Sequence, residues 1–399
     1  MPDNRFRLRQ GQCCRLITVT MTVLAAMAAL LSPAEASAAA AGTPVRSAPL
    51  SAAVWSIPGS DPSASRRIVY WTRGSQGQLG LSSGAIFLPK TPPPSGGYPV
   101  ISWAHGTVGI GNQCAPSRRG PIYAERDNSY LAHWLRRGYA IVASDYYGLG
   151  TQGIDGTGHH PYGDAQVAGY NVVDMVRAAR TLMPAVLSTR WAAVGQSQGA
   201  QASVAAASVA AHYAPELDFI GSVSTGLTGY FDRLAPLILA VAPHASVPMP
   251  IEDATAYVVF TLAGVRAAHP ELDVDRYLSP LGKRLITQAE QACDDQMNAE
   301  LADVAIASLF ARSPDDPRLE RAFAAMQRIP TAGFTRPLFI GEGYLDGTAI
   351  YPVTAALVND MRRSGATVEF RGYPTGHSGT MAASLPDSTP FLQRQLQSR

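Results

Sequence analysis

The sequence predicts an α/β fold: a mostly parallel sheet flanked by helices, with a helical segment inserted late in the chain. Three observations carry that reading. Short runs apolar along their whole length, such as Tyr98–Ala104 (YPVISWA), recur between helical patterns. A strand with no polar face is buried on both sides, as in a parallel sheet covered by helices. The alternation stops near Gly229, continues as helical patterns alone for about 100 residues, and resumes at Pro337.

Taken in order, Arg67–Arg73 and Leu79–Leu88 read as strands, and Tyr98–Ala104 follows. Tyr123–Arg137 spaces Tyr130, Leu131 and Trp134 as a helix would. Tyr139–Ser144 is a strand ending at Asp145, and Asp164–Leu182 an amphipathic helix. Trp191–Val194 is a short strand, Gly199–His212 an Ala-rich helix, and Phe219–Ser224 another strand. Five helical patterns then fill the insert: Tyr230–Val241, Ala254–Ala267, Ser279–Asp295, Ala299–Ala311 and Arg318–Arg328. Pro337–Gly341 and Thr367–Tyr373 close the sheet, with helices expected at Val353–Ser364 and Ser384–Leu396. The core is thus assigned to residues 66–228 and 329–399, the helical cap to 229–328, and a loose leader rich in Ala, Ser, Pro and Gly to 39–65.

Composition narrows the function. Of 399 residues, 46 % are apolar and 16 % charged, so a large core is available and global disorder is excluded. Basic and acidic residues nearly cancel, which argues against a nucleic-acid partner. Lys90 and Lys283 are the only lysines; the remaining basic residues are Arg, as a GC-rich bacterial genome would give. Residues 1–38 read as a cleavable signal peptide: Arg5, Arg7, Arg9 and Arg15, an apolar run Leu16–Leu31, then Ala36-Ser37-Ala38. Cleavage is placed after Ala38, with Ala40 as the rival, and an extracellular bacterial protein is expected. Its removal takes four basic and two acidic groups, leaving no net charge. Cys13 and Cys14 leave with it. Cys114 and Cys293 remain, an even count in an oxidising compartment, so one disulfide is expected.

The chemistry sits after Trp191–Val194, where Gly195-Gln196-Ser197-Gln198-Gly199 runs from strand to helix. This G-x-S-x-G spacing holds the serine on a turn too sharp for side chains at the two glycines, beside a helix N-terminus that favours negative charge. A serine needs a base, and the base an orienting acid, in the chain order Ser, acid, His. His377, in Gly376-His377-Ser378-Gly379 after the last strand, is the expected base. Asp346, in the loop past Pro337–Gly341, is the expected acid, with Glu342 as its rival. The oxyanion would be held by the amides of Gln198 and Thr107, Gly106 being the alternative to Thr107. His105 is expected to brace that loop. Asp155, His159, His160 and Asp164 match no zinc spacing and are read as loop-fixing residues; no metal or cofactor is expected.

His105-Gly106-Thr107, Cys114-Ala115-Pro116-Ser117, Ser144-Asp145-Tyr146-Tyr147-Gly148-Leu149-Gly150 and Gly195–Gly199 together resemble the secretory lipase family of fungi and bacteria. The resemblance runs from about Arg66 to the C-terminus and is least distinctive in the insert. It implies an α/β-hydrolase core with a helical cap, a triad of Ser197, Asp346 and His377, and pairing of Cys114 with Cys293. Gln196 and Gln198 depart from the family's pattern around the nucleophile, so acyl-chain preference does not carry over. Tyr230–Val241 and Ala254–Val265 are more apolar than a surface helix requires and would line an acyl pocket, touch a lipid–water interface, or simply pack on the core. The expected function is a secreted carboxylic-ester hydrolase, a triacylglycerol lipase acting on lipid or other ester substrates without an obligate protein partner. A short-chain carboxylesterase, an acyltransferase, a serine peptidase of the same fold and a non-catalytic binding protein are the alternatives.

Overall fold

A computed structural model describes residues 40–154, 158–241, 244 and 254–397, without the side chains of 235–239. The expected signal peptide and Asp155 lie outside the described residues. The described chain forms a nine-stranded sheet: β1 (Pro44–Pro49), β2 (Arg66–Arg73), β3 (Leu79–Phe87), β4 (Tyr98–Ala104), β5 (Ala140–Tyr147), β6 (Leu187–Gln196), β7 (Asp218–Thr225), β8 (Leu338–Gly343) and β9 (Val368–Tyr373). Their order is β1-β2-β3-β5-β4-β6-β7-β8-β9. The first three pairings are antiparallel and the remaining five parallel.

The helices are α1 (Pro116–Arg119), α2 (Ala124–Leu135), α3 (Ala165–Leu182), α4 (Gln198–Tyr213), α5 (Phe231–Val241), α6 (Ala254–Ala268), α7 (Pro280–Ala289), α8 (Asp294–Leu301), α9 (Pro317–Met326), α10 (Tyr351–Arg363) and α11 (Thr380–Gln397). One face of the sheet packs Tyr70, Val100 and Trp191 against Val172, Met175 and Val204 of α3 and α4. The other packs Trp103, Ile141 and Phe339 against Tyr130 and Trp134 of α2 and Phe391 of α11. Both faces are covered, which is why the central strands carry no polar face. Helices α5–α9 run between β7 and β8, and Val259, Phe260, Leu285, Ile286, Met297 and Phe323 form a separate cluster there.

Three expectations change. The expected leader over 39–65 is not loose in its described part, 40–65: β1 adds an antiparallel edge to β2, and Leu50, Trp55 and Ile57 are buried. Trp55 packs edge-on against Phe87 and donates its indole N–H to Asn128. Few apolar residues anchor the segment, but they are large, and the small residues between them concealed the pattern. The helix expected over 279–295 ends at Ala289, and Cys293 is the N-cap of α8, whose end replaces the start of the helix expected over 299–311. Beyond Leu301 only a 3-10 turn forms, at Ile306–Leu309. The last helix starts at Thr380 rather than Ser384 and accommodates Pro386 and Pro390.

The break before α8 positions a tie. Cys293 is bonded to Cys114, 179 residues earlier. The backbone around it pairs with the loop after β4: Asp294 N–H donates to Val108 O and Gly111 N–H to Ala292 O. A Cβ on Gly109 would lie 2.6 Å from Cys293 Cα, so only glycine permits this approach. A loop this long gives the disulfide about 5 kcal/mol in the chain-entropy model, and measured bridges deliver about 2–5 kcal/mol. Replacing both cysteines by serine is expected to lower the unfolding free energy by that amount. Urea midpoints of the double variant and of wild type would measure it; identical midpoints would show that the bridge adds no stability.

Candidate active site

The turn after β6 is set by sterics. Ser197 has φ 58° and ψ −120°, a region that non-glycine residues occupy only when their surroundings force it. A Cβ on Gly195 would come within 2.0 Å of Gly199 O, and one on Gly199 within 1.9 Å of Ala104 O. Glycine is therefore required on both sides of the serine. Ser197 N–H donates to Thr225 O at 3.0 Å, fixing the turn to β7.

Asp346 and His377 are brought together. Asp346 Oδ1 accepts from Thr348 N–H and Ala349 N–H, both at 2.8 Å, and its Oδ2 lies 2.7 Å from His377 Nδ1. The loop after β8 thus turns on one carboxylate oxygen and offers the other to the imidazole. His377 Nε2 is buried and has no hydrogen-bond partner, so Ser197 and His377 are not hydrogen-bonded to one another. Such bonds are often formed only once substrate is present. The rival acid, Glu342, is turned away: its Oε1 accepts from Leu227 N–H at 2.6 Å. Burial, reinforced by the nearby charge of Asp346, pushes its carboxyl well above the usual range.

Sequence reasoning missed what joins these loops. Gln196 Nε2 donates to His377 O at 3.0 Å, and its Oε1 accepts from Thr225 Oγ1. This buried side chain links the serine turn to the histidine loop. Gly226, at φ 62°, lies against the imidazole: a Cβ there would be 2.9 Å from His377 Cε1. The departure of Gln196 from the family pattern was the one available signal.

The loop after β4 passes over the serine, since a Cβ on Gly106 would sit 3.5 Å from Ser197 Cβ. His105 braces it, donating Nδ1–H to Gly106 O at 2.7 Å while its carbonyl accepts from Tyr146 OH. Thr107 Oγ1 bonds Tyr162 OH at 2.7 Å, and Gln198 opens α4, where main-chain N–H groups have no partner within the helix. His160 fixes the Gln198 side chain. Its Nδ1–H donates to Tyr147 O, leaving Nε2 to accept from Gln198 Nε2–H at 3.0 Å. Asp164 caps α3 through Val167 N–H. Asp145 accepts from Ser117 and Ser83, holding α1 to the sheet.

Burial pushes the His160 imidazole down to about 4. Its folded value lies below the unfolded one, so its contribution is complete above about pH 6.5 and erodes as pH falls toward 4. The stability advantage of wild type over His160→Gln should shrink over that window by on the order of 3 kcal/mol. Denaturant titrations of both proteins at pH 7 and pH 4.5 test this, and a constant difference refutes it.

Above Ser197 lies a cleft of about 130 Å³. Phe231, Val258, Leu262, Ile306 and Phe323 from the inserted helices form its apolar wall, with Ser197, Gln198 and Gln201 from the core side.

A mostly parallel sheet with a strained strand–turn–helix serine at the C-terminal end of a central strand defines an α/β-hydrolase. Residues 117–240 match the family model of the secretory lipases. Lipase A of Moesziomyces aphidis is 24 % identical over 357 residues, covering 80 % of this chain and 69 % of that protein. A protein of Mycobacterium tuberculosis described as a probable inactive lipase is 28 % identical over 198 residues, 46 % of this chain and 42 % of its own. Candida antarctica lipase A in its closed state superposes with a TM-score of 0.68 at 21 % identity, over 92 % of this chain and 84 % of the other, which establishes the shared fold. The chain is a carboxylic-ester hydrolase of the extracellular lipase and esterase kind.

Proposed function

We propose that the protein is a triacylglycerol lipase working through an acyl-enzyme. Ser197 Oγ attacks the ester carbonyl while His377 Nε2 takes its proton. Asp346 holds the imidazole by Nδ1 and stabilises its charged form. The amides of Thr107 and Gln198 receive the oxyanion; His377 then protonates the leaving alcohol, and water repeats the sequence on the acyl-enzyme. The observation that carries this reading is the 2.7 Å contact of Asp346 with His377, which leaves Nε2 unpartnered. The apolar cleft supports a fatty acyl chain as the group transferred to water. Residues 229–328 act as the lid, in which α6 packs into the cap's own core through Val259, Phe260 and Leu262 and α5 is left to meet the lipid–water interface, and the chain leaves a bacterial cell by a signal peptide cut after Ala38.

The test is hydrolysis of p-nitrophenyl esters from acetyl to palmitoyl, followed by emulsified triglyceride. Cleavage rising toward long chains and extending to the emulsion supports the lipase. A maximum at acetyl or butyryl with no action on the emulsion replaces it with a short-chain esterase. No cleavage at all favours the non-catalytic alternative, the condition ascribed to the mycobacterial relative.

A further inference from the structure

We propose that the cleft takes an acyl chain bearing a hydroxyl or carbonyl oxygen part-way along its length, held by the side-chain amides of Gln201 and Gln327. The inference rests on the reading of Ser197 as an ester nucleophile and specifies the acyl group it accepts. Both glutamines line the cleft, with exposures of only 6 % and 3 %. Neither side-chain amide makes a hydrogen bond to any described group, whereas three neighbouring polar side chains on the wall are engaged. Tyr162 OH is paired with Thr107, Thr261 Oγ1 donates to Tyr257 O, and the Gln198 side chain is held by His160.

Both amides face the open cleft, and a chain that filled it would bury them at the cost of their unsatisfied hydrogen bonds. Water satisfies them in the free cleft. A plain alkyl chain would displace it and restore nothing, so both amides would be stranded. An oxygen on the chain restores a bond, since each amide both donates and accepts. The placement suits a group a few atoms beyond the scissile carbonyl. Gln201 follows Gln198 by three residues on α4, about 4.5 Å further along the helix axis. Gln327 ends α9 and is pressed against Gly163, where a Cβ would lie 2.1 Å from its Nε2. Its amide is confined to the wall of the cleft.

The experiment compares kcat/KM for p-nitrophenyl hexanoate with that for hydroxyhexanoates carrying the hydroxyl at successive carbons. Wild type is expected to favour at least one hydroxylated isomer by tenfold or more. Gln201→Leu and Gln327→Leu should each reduce that preference about tenfold and hydrolyse the plain ester faster. If either leucine variant does not fold, Gln201→Met or Gln327→Met takes its place. Wild type favouring the plain chain over every isomer, with no change of ratio in the variants, overturns the assignment. A protein inert toward all esters would instead defeat the lipase reading. The preference is then read from Kd values of hexanoate and the hydroxyhexanoates by calorimetry, and equal values overturn the assignment.

Discussion

Alanine at position 197 is expected to lower kcat by roughly 10⁶-fold on every ester the wild type cleaves. The loss is large because the remaining groups have no nucleophile to act with. His377 would hold a proton-accepting nitrogen over a methyl group, and the oxyanion amides would stabilise only slow attack by water. Removing Oγ takes away no packing contact in the turn, and alanine meets the same backbone strain at φ 58°. The thermal midpoint should therefore stay close to that of wild type, separating lost chemistry from lost fold. Residual activity within about a hundredfold of wild type would remove Ser197 from the nucleophile's role, against the roughly 10⁶-fold expected for such a residue.

Asp346→Asn is the second large effect, at roughly 10⁴-fold in kcat. The carboxylate accepts the Nδ1 proton, which leaves Nε2 as the base. An amide can present N–H instead, which favours the other tautomer and cannot stabilise the imidazolium. Glu342→Gln supplies the contrast. Burial pushes the Glu342 carboxyl well above its usual range and its Oε1 accepts from Leu227 N–H, so an amide there keeps the shape and the accepting oxygen. Its activity should fall less than about tenfold, far short of the loss tied to a triad acid. The reverse ranking, with Glu342→Gln the more damaged, would make Glu342 the orienting acid.

The central strands were legible because burial on both faces leaves unbroken apolar runs, as in Tyr98–Ala104. The serine turn was legible because sterics demand glycine at Gly195 and Gly199. Other features carried no such mark. β1 is a sheet edge with no buried residue of its own, and its anchors Trp55 and Ile57 lie several residues downstream. The stop at Ala289 could not be read from helical spacing, because the residues that follow α7 pair with Val108 and Gly111, far back in the chain. Asp346 and Glu342 are four residues apart, Glu342 at the end of β8 and Asp346 in the loop after it, and nothing local in the sequence shows which side chain turns to His377. The reach of Gln196 to His377 O spans two loops distant in sequence, so local pattern had no way to express it.

The pairing of Val108 and Gly111 with Ala292 and Asp294 also fixes an order of events. Contacts so remote in sequence form late, because the intervening chain must be closed before they bring any stabilisation. The loop over Ser197 is therefore expected to reach its working shape only after the inserted helices have settled. A newly made, still reduced chain has its serine turn built, since that depends on neighbours in β4, β6 and β7, but lacks the anchored roof above it. A chain whose Cys114 and Cys293 are still reduced is therefore expected to hydrolyse esters more slowly than the bridged one.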